Sequence, residues 1–555
     1  MNKKVCSFPI LFALLALLIG TCAVVFPASA QAAPTSTGSI TVSGTVASSY
    51  DAYQIFSANV VDGDSDAKIA TDLAWASDAV RAAALPVMHS DGMPNSQTTA
   101  QEAAEWLNTD SHLTSALSAQ LARSLQSSDA RPAALNAGTT AELPCGYWLI
   151  VADDDAIAEG EAGTAPIMAL VGGSAVTVKP KAATPKVAKH VLEDNTAAWQ
   201  KAADATIGDD LYWRLSATVP AGLTAYDTYT VRFVDTMSAG LDPSKVAASM
   251  RVYVAAGADG GFDAVSAGKD GRAGTEPAKG WTDITAQCAT KVAADGTFTV
   301  RTGDLIAALG GADAFTAGAR VVAVYNAPLN SACNHGIAKG NPNDVYLRYP
   351  RSPFADQSGD ASFTRTPSDD ACAYTWDLAL TKRGSDGDKP LAGAVLSIAD
   401  DRGRTLTADG TWDAEGKATV TTGEDGRVTV SGVDSGKLEV RELKAPKGYT
   451  AFEGTRSVTV KAEGLDVDQV AAAKPKLSIT AESPLRADSA DGSTGSLEAS
   501  LINTPTGTPP SITTGGFMPS TGDMAMYAAA AAAVAGAALI VVALLVKRGG
   551  GSHKE

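Results

Sequence analysis

Two apolar segments, one at each end of the chain, bound the part of the sequence that can fold in water. At the N-terminus the basic pair Lys3 and Lys4 precedes an apolar stretch that is too short to span a bilayer and that ends in small residues. This order predicts a secretory signal peptide over residues 1–30. Near the other end, residues 524–546 are long and apolar enough for a transmembrane helix, and the basic tail of residues 547–555 is expected to stay cytoplasmic.

The sequence between these segments is long enough for about three domains. Residues 31–179 begin with alternating strand-like residues, but residues 97–125 carry apolar side chains at helical spacing, which predicts an α+β domain. Residues 180–370 begin in a proline-containing linker and continue as alternating strands. Residues 371–505 contain short strands separated by Asp-Gly and Gly turns, which is typical of a β-sandwich. We therefore expect a mainly β chain of tandem Ig-like sandwiches.

The acidic composition limits the classes of partner. A formal net charge of −17 argues against binding to nucleic acid or to anionic lipid, because both would be repelled. The same charge favours solubility outside the cell.

Four cysteines remain after removal of the signal peptide, and they allow three pairings. We favour a disulfide between Cys288 and Cys333, since both fall in the same predicted domain; free buried thiols are the alternative. In the signal segment, Cys22 would permit a lipoprotein, but Thr21 before it fits a lipid-attachment box poorly.

The sequence lacks the motifs that organise common catalytic sites. Its five histidines are scattered, and it contains no HExxH, GxSxG or phosphate-binding loop. The cysteine and histidine spacings do not suggest zinc. We expect no enzyme, no cofactor and no metal, while a secreted surface enzyme remains the weakest alternative.

The segment before the transmembrane helix resembles a sortase sorting signal. Residues 518–522, Met-Pro-Ser-Thr-Gly, match the Leu-Pro-x-Thr-Gly pattern at Pro519, Thr521 and Gly522, with Met in place of Leu. This resemblance implies that a sortase cysteine attacks the Thr521 carbonyl, releases the chain from Gly522 onward, and passes the acyl group to an amine. Residues 506–517, rich in Pro, Thr and Gly, would be a wall-spanning spacer. The alternative is an ordinary membrane-anchored ectodomain.

The third domain resembles the Cna-B/SpaA-like sandwiches of Gram-positive pilins. Residues 438–449, Leu-Glu-Val-Arg-Glu-Leu-Lys-Ala-Pro-Lys-Gly-Tyr, resemble the pilin E-box with Glu442 in the acid position. The strands that contain Lys382 and Asn503 resemble the first and last strands of such domains. The resemblance implies an isopeptide bond between Lys382 and Asn503, with Glu442 as proton shuttle, because a buried lysine is more readily neutral and nucleophilic. The alternative is an exposed lysine and asparagine with a structural glutamate.

The second domain resembles a fimbrial isopeptide-type sandwich through the segments that contain Lys189 and Asp235. It departs from that pattern at the last strand, where Arg351 occupies the position at which relatives carry asparagine. Because arginine has no carboxamide, we predict that this domain forms no isopeptide bond.

At the end of the first domain, Lys181 resembles the acceptor lysine of the pilin motif, although Lys179 replaces the usual tyrosine. A plain interdomain Lys-Pro linker is the alternative. Together the resemblances imply a sortase-dependent backbone pilin, SpaA-like, whose subunits are joined from Thr521 to Lys181. The implied partners are a class C sortase, a housekeeping sortase, other copies of the chain, minor pilins and peptidoglycan, at the cell wall or in a pilus, after a membrane-inserted precursor. The competing function is a wall-anchored adhesin or minor pilin that binds a host glycan or matrix protein.

Overall fold

The computed structural model describes residues 36–507, apart from residues 45, 65–66, 110, 181–183, 222, 258–279 and 355–356. Within this part the chain is mainly β, with three successive domains that each have their own sheets and core. The fold class predicted from the sequence is confirmed, including the α+β character of the first domain.

The N-terminal domain is a sheet that is covered on both faces. Its elements are β1 Thr37–Val42, β2 Ser49–Asp62, β3 Lys68–Trp75, α1 Asp78–Ser90, α2 Ala100–Asn108, α3 Ser115–Gln126, β4 Ala133–Asn136, β5 Thr140–Pro144, β6 Gly146–Ala152, β7 Ile167–Val171 and β8 Val176–Val178. The five-stranded sheet β3-β2-β6-β7, with β4 on β2, packs one face on the helices and the other on the three-stranded sheet β5-β1-β8. Alternating side chains of β2 and β6 supply both cores.

The middle domain is a β-sandwich. Its elements are β9 Val187–Glu193, β10 Ala198–Gln200, β11 Ala202–Asp204, β12 Tyr212–Thr218, β13 Arg232–Met237, α4 Val246–Ser249, β14 Arg251–Ala255, β15 Thr282–Asp283, β16 Ala289–Val292, β17 Thr297–Arg301, α5 Leu305–Ala308, β18 Arg320–Asn326, β19 Asn341–Pro350, β20 Phe363–Arg365 and β21 Asp369–Tyr374. One sheet has the order β10-β9-β12-β18-β14-β15, and the other β11-β21-β19-β13-β17-β16 with β20 on β19. Inward-facing residues of both sheets form one apolar core.

The C-terminal domain is a second sandwich. Its strands are β22 Trp376–Gly384, β23 Val395–Ala399, β24 Thr405–Leu406, β25 Trp412–Asp413, β26 Val420–Thr421, β27 Arg427–Val433, β28 Gly436–Lys444, β29 Tyr449–Thr450, β30 Thr455–Glu463, β31 Lys476–Ala481, β32 Leu485–Asp491 and β33 Ser496–Pro505. The sheets are β27-β22-β33-β29, with β32 on β33, and β25-β24-β23-β28-β30-β31, with β26 on β23. The first and last strands, β22 and β33, are parallel neighbours.

The middle and C-terminal domains meet in a polar junction. Arg404 donates from Nη2 to Oδ2 of Asp209 at 2.7 Å, and Arg402 donates from Nη1 to the same oxygen at 2.9 Å. The backbone N–H of Ile207 donates to the carbonyl of Gly432 at 2.8 Å. Charged side chains and backbone groups of both domains therefore hold the junction together.

The disulfide favoured from the sequence is not formed, because Cys288 and Cys333 are free thiols, as are the other cysteines in the described residues. Cys288 directly precedes β16, beside the end of β13 that begins at Arg232. Cys333 lies next to Gly240, beyond the other end of β13. At about 3.3 Å per residue the two ends of β13 are roughly 16 Å apart, whereas a disulfide requires a Cα separation below about 7 Å.

Candidate functional site

In the C-terminal domain three polar residues continue rows of inward-facing apolar side chains. Lys382 follows Leu378 and Leu380 on the inner face of β22, and Asn503 follows Leu501 on the inner face of β33. Glu442 follows the inward-facing apolar residues of β28 in the opposite sheet. Because β22 and β33 are adjacent and parallel, the period of two along each strand brings these side chains to one end of the core.

The three side chains are in contact. Lys382 Nζ lies 3.4 Å from Glu442 Oε1, and Asn503 Nδ2 donates to the same oxygen at 2.8 Å. Glu442 Oε2 accepts the backbone N–H of Phe452 at 3.1 Å, which fixes the carboxylate. Asn503 Oδ1 is buried and has no hydrogen-bond partner among the described residues. One buried carboxylate oxygen therefore bridges an amine and a carboxamide nitrogen.

Burial alters the acidity of the amine. Lys382 has no exposed surface, and burial lowers the pKa of its amine to about 8, although the nearby Glu442 carboxylate opposes the change. A neutral amine is thus far more accessible at physiological pH than for a solvated lysine. A neutral amine beside a carboxamide and a carboxylate is a set of groups suited to amide exchange.

The middle domain contains a second buried set. Lys189 on β9 pairs with Asp235 on β13, and both side chains are fully buried. Tyr325 on β18 lies between the groups: its hydroxyl accepts from Lys189 Nζ at 3.0 Å and from Asn343 Nδ2 at 2.9 Å, and donates to Asp235 Oδ2 at 3.1 Å. Asn343, on β19, is also fully buried, and its Oδ1 has no partner among the described residues. This set repeats the lysine, acid and asparagine of the C-terminal domain and adds a tyrosine.

Burial also governs the ionisation of the middle set. It lowers the pKa of Lys189 to about 8 and raises the pKa of Asp235 to about 6, while the attraction between the two groups opposes both changes. At neutral pH the neutral forms of the Lys189 amine and the Asp235 carboxyl are therefore more populated than in an exposed pair.

The structure places the carboxamide of Asn343 beside the Lys189 and Asp235 pair, through the shared hydroxyl of Tyr325, which the sequence did not lead us to expect. The absence of an isopeptide bond from this domain stays a prediction. Arg351 is not part of the set; it lies beyond the end of β19, where its guanidinium donates to the carbonyl of Asp154 at 3.4 Å. The available signal was the alternation along β19, since Asn343 shares an inward-facing register with the apolar residues two, four and six positions later.

The residues predicted to react with sortase lie outside the described part of the chain. These are the acceptor Lys181, three positions after β8, and the sorting-signal residues Pro519, Thr521 and Gly522. The predicted signal peptide of residues 1–30 and the predicted transmembrane segment of residues 524–546 also lie outside it. Within the described residues, no helix is both long and apolar enough to cross a membrane.

Residues 377–474 match the family model of the SpaA prealbumin-like fold domain. The C-terminal domain is similar to a SpaA prealbumin-like domain over this stretch. The matched stretch contains Lys382 and Glu442 and ends before β33, which carries Asn503.

A curated relative adds a match in sequence. The trypsin-resistant surface T6 protein of Streptococcus pyogenes serotype M6 is 29% identical over 143 residues, which make up 24% of this chain and 24% of that protein. The chain therefore matches about a quarter of the length of that relative.

Two solved structures align with most of the chain. The T6 backbone pilin of serotype M6 Streptococcus pyogenes aligns with a TM-score of 0.45 and 17% identity, over 85% of this chain and 98% of that one. The full-length major pilin SpaD of Corynebacterium diphtheriae aligns with a TM-score of 0.42 and 14% identity, over 85% and 98% of the two chains.

Proposed function

We propose that this chain is the structural major subunit of a covalently polymerised cell-surface pilus. The observation that carries the proposal is the pair of buried lysine, acid and asparagine sets in two consecutive β-sandwich domains. Sets of this kind suit a protein that must resist extension and proteolysis outside the cell. The partial match to a trypsin-resistant surface protein supports the same conclusion.

The first part of the proposal is an isopeptide bond in the C-terminal domain. The neutral Lys382 amine attacks Cγ of Asn503, a C–N bond forms, and the bond from Cγ to Nδ2 breaks. Glu442 takes a proton from the attacking nitrogen and gives it to the departing one, which leaves as ammonia. Holding the reactants in contact is worth up to about 7–11 kcal/mol of the barrier, so no external enzyme is needed.

The second part is an equivalent bond from Lys189 to Asn343 in the middle domain. Here Asp235 is the acid, and the Tyr325 hydroxyl accepts hydrogen bonds from both the amine and the carboxamide. The same bonds form and break, and ammonia again leaves. Catalysis by this chain is then confined to its own cross-linking.

The third part is assembly by sortase. A class C sortase would cleave after Thr521 and join the Thr521 carbonyl to the Lys181 amine of another copy, and a housekeeping sortase would attach the finished fibre to peptidoglycan. Minor pilins would be further partners at the cell surface. Repetition of the Thr521 to Lys181 bond would make a fibre that is covalent from end to end.

Electrophoresis of cell-wall extracts boiled in SDS tests the assembly. The native chain should give a ladder of high-mass bands, and Lys181→Arg should collapse the ladder to monomer. Lys179→Arg, which changes a lysine only two positions away, should leave the ladder intact. A ladder that persists in Lys181→Arg would exclude this acceptor, and a monomer band for the native chain would favour the wall-anchored adhesin or minor pilin.

A further inference from the structure

A cluster of three carboxylates lies at the junction of the middle and C-terminal domains, away from both cross-linking sets. Glu193 ends β9, Asp204 ends β11, and Asp434 lies in the turn between β27 and β28. One carboxylate oxygen of each residue lies within 4.8 Å of an oxygen of each of the others. Glu193 is 3% exposed and Asp204 is 1% exposed, so their charges are removed from water.

These carboxylates differ from their neighbours in having no basic partner. At the same junction Asp194 pairs with Arg402, and Asp209 pairs with Arg402 and Arg404. Among the described residues, no ion pair is formed by any carboxylate of the cluster. Buried charges that are left unpaired are strongly unfavourable, so the cluster requires another source of positive charge.

The hydrogen bonds of the cluster hold its carboxylates in place and leave one oxygen free. Asp204 Oδ2 accepts the indole N–H of Trp376 and, at 2.9 Å, the backbone N–H of Ser435. Glu193 accepts backbone N–H groups through both of its oxygens, from Asn195 at 3.2 Å and from Asp204 at 3.1 Å. Asp204 Oδ1 is buried and has no hydrogen-bond partner among the described residues. An orphaned carboxylate oxygen is a ligand position.

A cavity of about 30 Å³ lies beside Asp434 but is not the space for an ion. Its lining includes the basic residues Arg402, Arg404 and Lys437, and it includes neither Glu193 nor Asp204. A bound cation would therefore lie between the three carboxylates and not in this cavity.

We propose that Glu193, Asp204 and Asp434 bind a divalent hard cation, best matched by Ca²⁺, that ties the middle domain to the C-terminal domain. Calcium takes six to eight oxygen ligands at about 2.3–2.6 Å, so two ligands of one ion lie at most about 5 Å apart, as these oxygens do. The all-oxygen donor set disfavours zinc, which prefers nitrogen and sulfur. This conclusion departs from the expectation of no metal that the sequence alone supports.

A proton is the competing source of positive charge. Burial and the neighbouring Asp204 charge raise the pKa of Glu193 to about 8. Without a cation the cluster would therefore hold a proton at neutral pH. A measurement of Ca²⁺ binding distinguishes the proton from the cation, since a cluster that is neutralised by a proton is not expected to bind Ca²⁺.

Isothermal titration of the purified protein with CaCl2 at neutral pH tests the proposal. We expect one site with a Kd of about 0.1–1 mM, the range of extracellular calcium modules. Asp204→Asn should weaken binding by about tenfold or more, because the charge of the ligands sets the affinity. Asp209→Asn, which removes a carboxylate of the same junction that is already paired with arginine, should bind as the native protein does.

Terbium luminescence provides a second measurement. Tb³⁺ occupies calcium sites and accepts energy from a nearby indole, so excitation of tryptophan should sensitise its emission through Trp376, which contacts Asp204. Trp376→Phe should lower the emission, and excess Ca²⁺ should abolish it in the native protein. Glu193→Gln replaces Asp204→Asn if the latter does not fold.

Three results would overturn the proposal. The first is the absence of saturable Ca²⁺ binding up to about 10 mM, well above the expected range. The second is an unchanged affinity in the folded Asp204→Asn or Glu193→Gln variant. The third is an equal loss in Asp209→Asn, which would indicate a response to the overall charge of the junction and not a site.

Discussion

The two buried lysine, acid and asparagine sets use acids of different length to contact the lysine. In the C-terminal domain Oε1 of Glu442 reaches both the amine and the carboxamide nitrogen. In the middle domain the shorter Asp235 contacts Lys189, and the hydroxyl of Tyr325 makes the contact with Asn343. A hydroxyl has one donor and two acceptor positions, and Tyr325 uses all three. The middle set therefore depends on a fourth residue.

Glu442→Gln should prevent cross-linking of the C-terminal domain, because an amide cannot take the proton from the attacking amine. Each bond releases one ammonia, so the intact mass of the variant should exceed that expected for a cross-linked chain by about 17 Da. Glu439→Gln alters an exposed glutamate on the same strand and should leave the bond in place. An unchanged ammonia loss in Glu442→Gln would contradict the assigned role.

Asn343→Ala should remove the middle cross-link and leave the C-terminal one. Intact mass should report one ammonia loss in place of two, a difference of about 17 Da. Arg351→Ala is the matched control, since it changes the residue that sequence comparison alone would have aligned with the reactive asparagine. If Arg351→Ala lost the bond and Asn343→Ala kept it, the assignment of Asn343 would fail.

When Lys382 cannot form its bond, the buried amine should make the free energy of unfolding depend on pH. In Asn503→Ala the folded protein keeps a buried amine whose pKa is about 8, against 10.5 for an ordinary lysine. Between these values the unfolded chain binds a proton that the folded chain lacks, so the free energy of unfolding should rise with pH. Below about pH 8 the amine is protonated in both states and the destabilisation is complete.

Denaturant unfolding of Asn503→Ala and of Lys382→Met/Asn503→Ala isolates this contribution. From pH 7.5 to pH 9.5 the single variant should gain about 1–2 kcal/mol relative to the double variant, since each pH unit is worth up to about 1.4 kcal/mol. A constant difference between the two variants would show that the amine is not desolvated.

At the scale of elements, strands with a clear apolar alternation were predictable. The apolar run from Tyr147 to Val151 is typical of a buried strand and forms the centre of β6, and the helical spacing over residues 97–125 corresponds to α2 and α3. Helix α1 gave no comparable signal and contains Pro86, a residue that disfavours helix interiors.

The C-terminal set was predictable from local motifs, whereas the middle set was not. Asn341, Pro342 and Asn343, at the start of β19, have low strand propensity. Pairing of β19 with β13 and β21 extends the strand to Asn341 and buries Asn343 opposite Met237. Tertiary pairing overrides local propensity here, so propensity alone does not indicate that Asn343 is buried.

The junction between the two sandwiches depends on close backbone contact. Gly336 has φ +73°, and a Cβ at this position would lie 2.4 Å from the backbone N of Gly495 in the C-terminal domain. Gly336→Ala should therefore destabilise the junction by about 1–3 kcal/mol. The expected readouts are a lower thermal transition and faster proteolysis between the domains.

Gly310→Ala is the matched control for this change. Gly310 has a similar φ of +80°, but a Cβ there would meet no atom within 4 Å. The control carries the backbone strain of alanine at positive φ without the clash between domains. Equal effects of the two substitutions would show that strain alone is responsible.

At the scale of the whole molecule, the two proposed bonds lie on the route between Lys181 and Thr521. Along the chain, the proposed bond from Lys189 to Asn343 comes first, and the proposed bond from Lys382 to Asn503 follows. The N-terminal domain precedes Lys181 in the sequence, so it lies outside this route. Its helices and loops are then free of the mechanical constraint that acts on the two sandwiches.

The parallel pairing of β22 with β33 has a consequence for a fibre under tension. A bond from Lys382 to Asn503 closes a loop of about 120 residues, which would extend by roughly 400 Å if the domain were unravelled. Force applied at the two ends of the domain would be carried by that single bond, and the loop would not be loaded. The contour length of the subunit would then stay almost constant under load, so the fibre would behave as an inextensible tether and not as a spring.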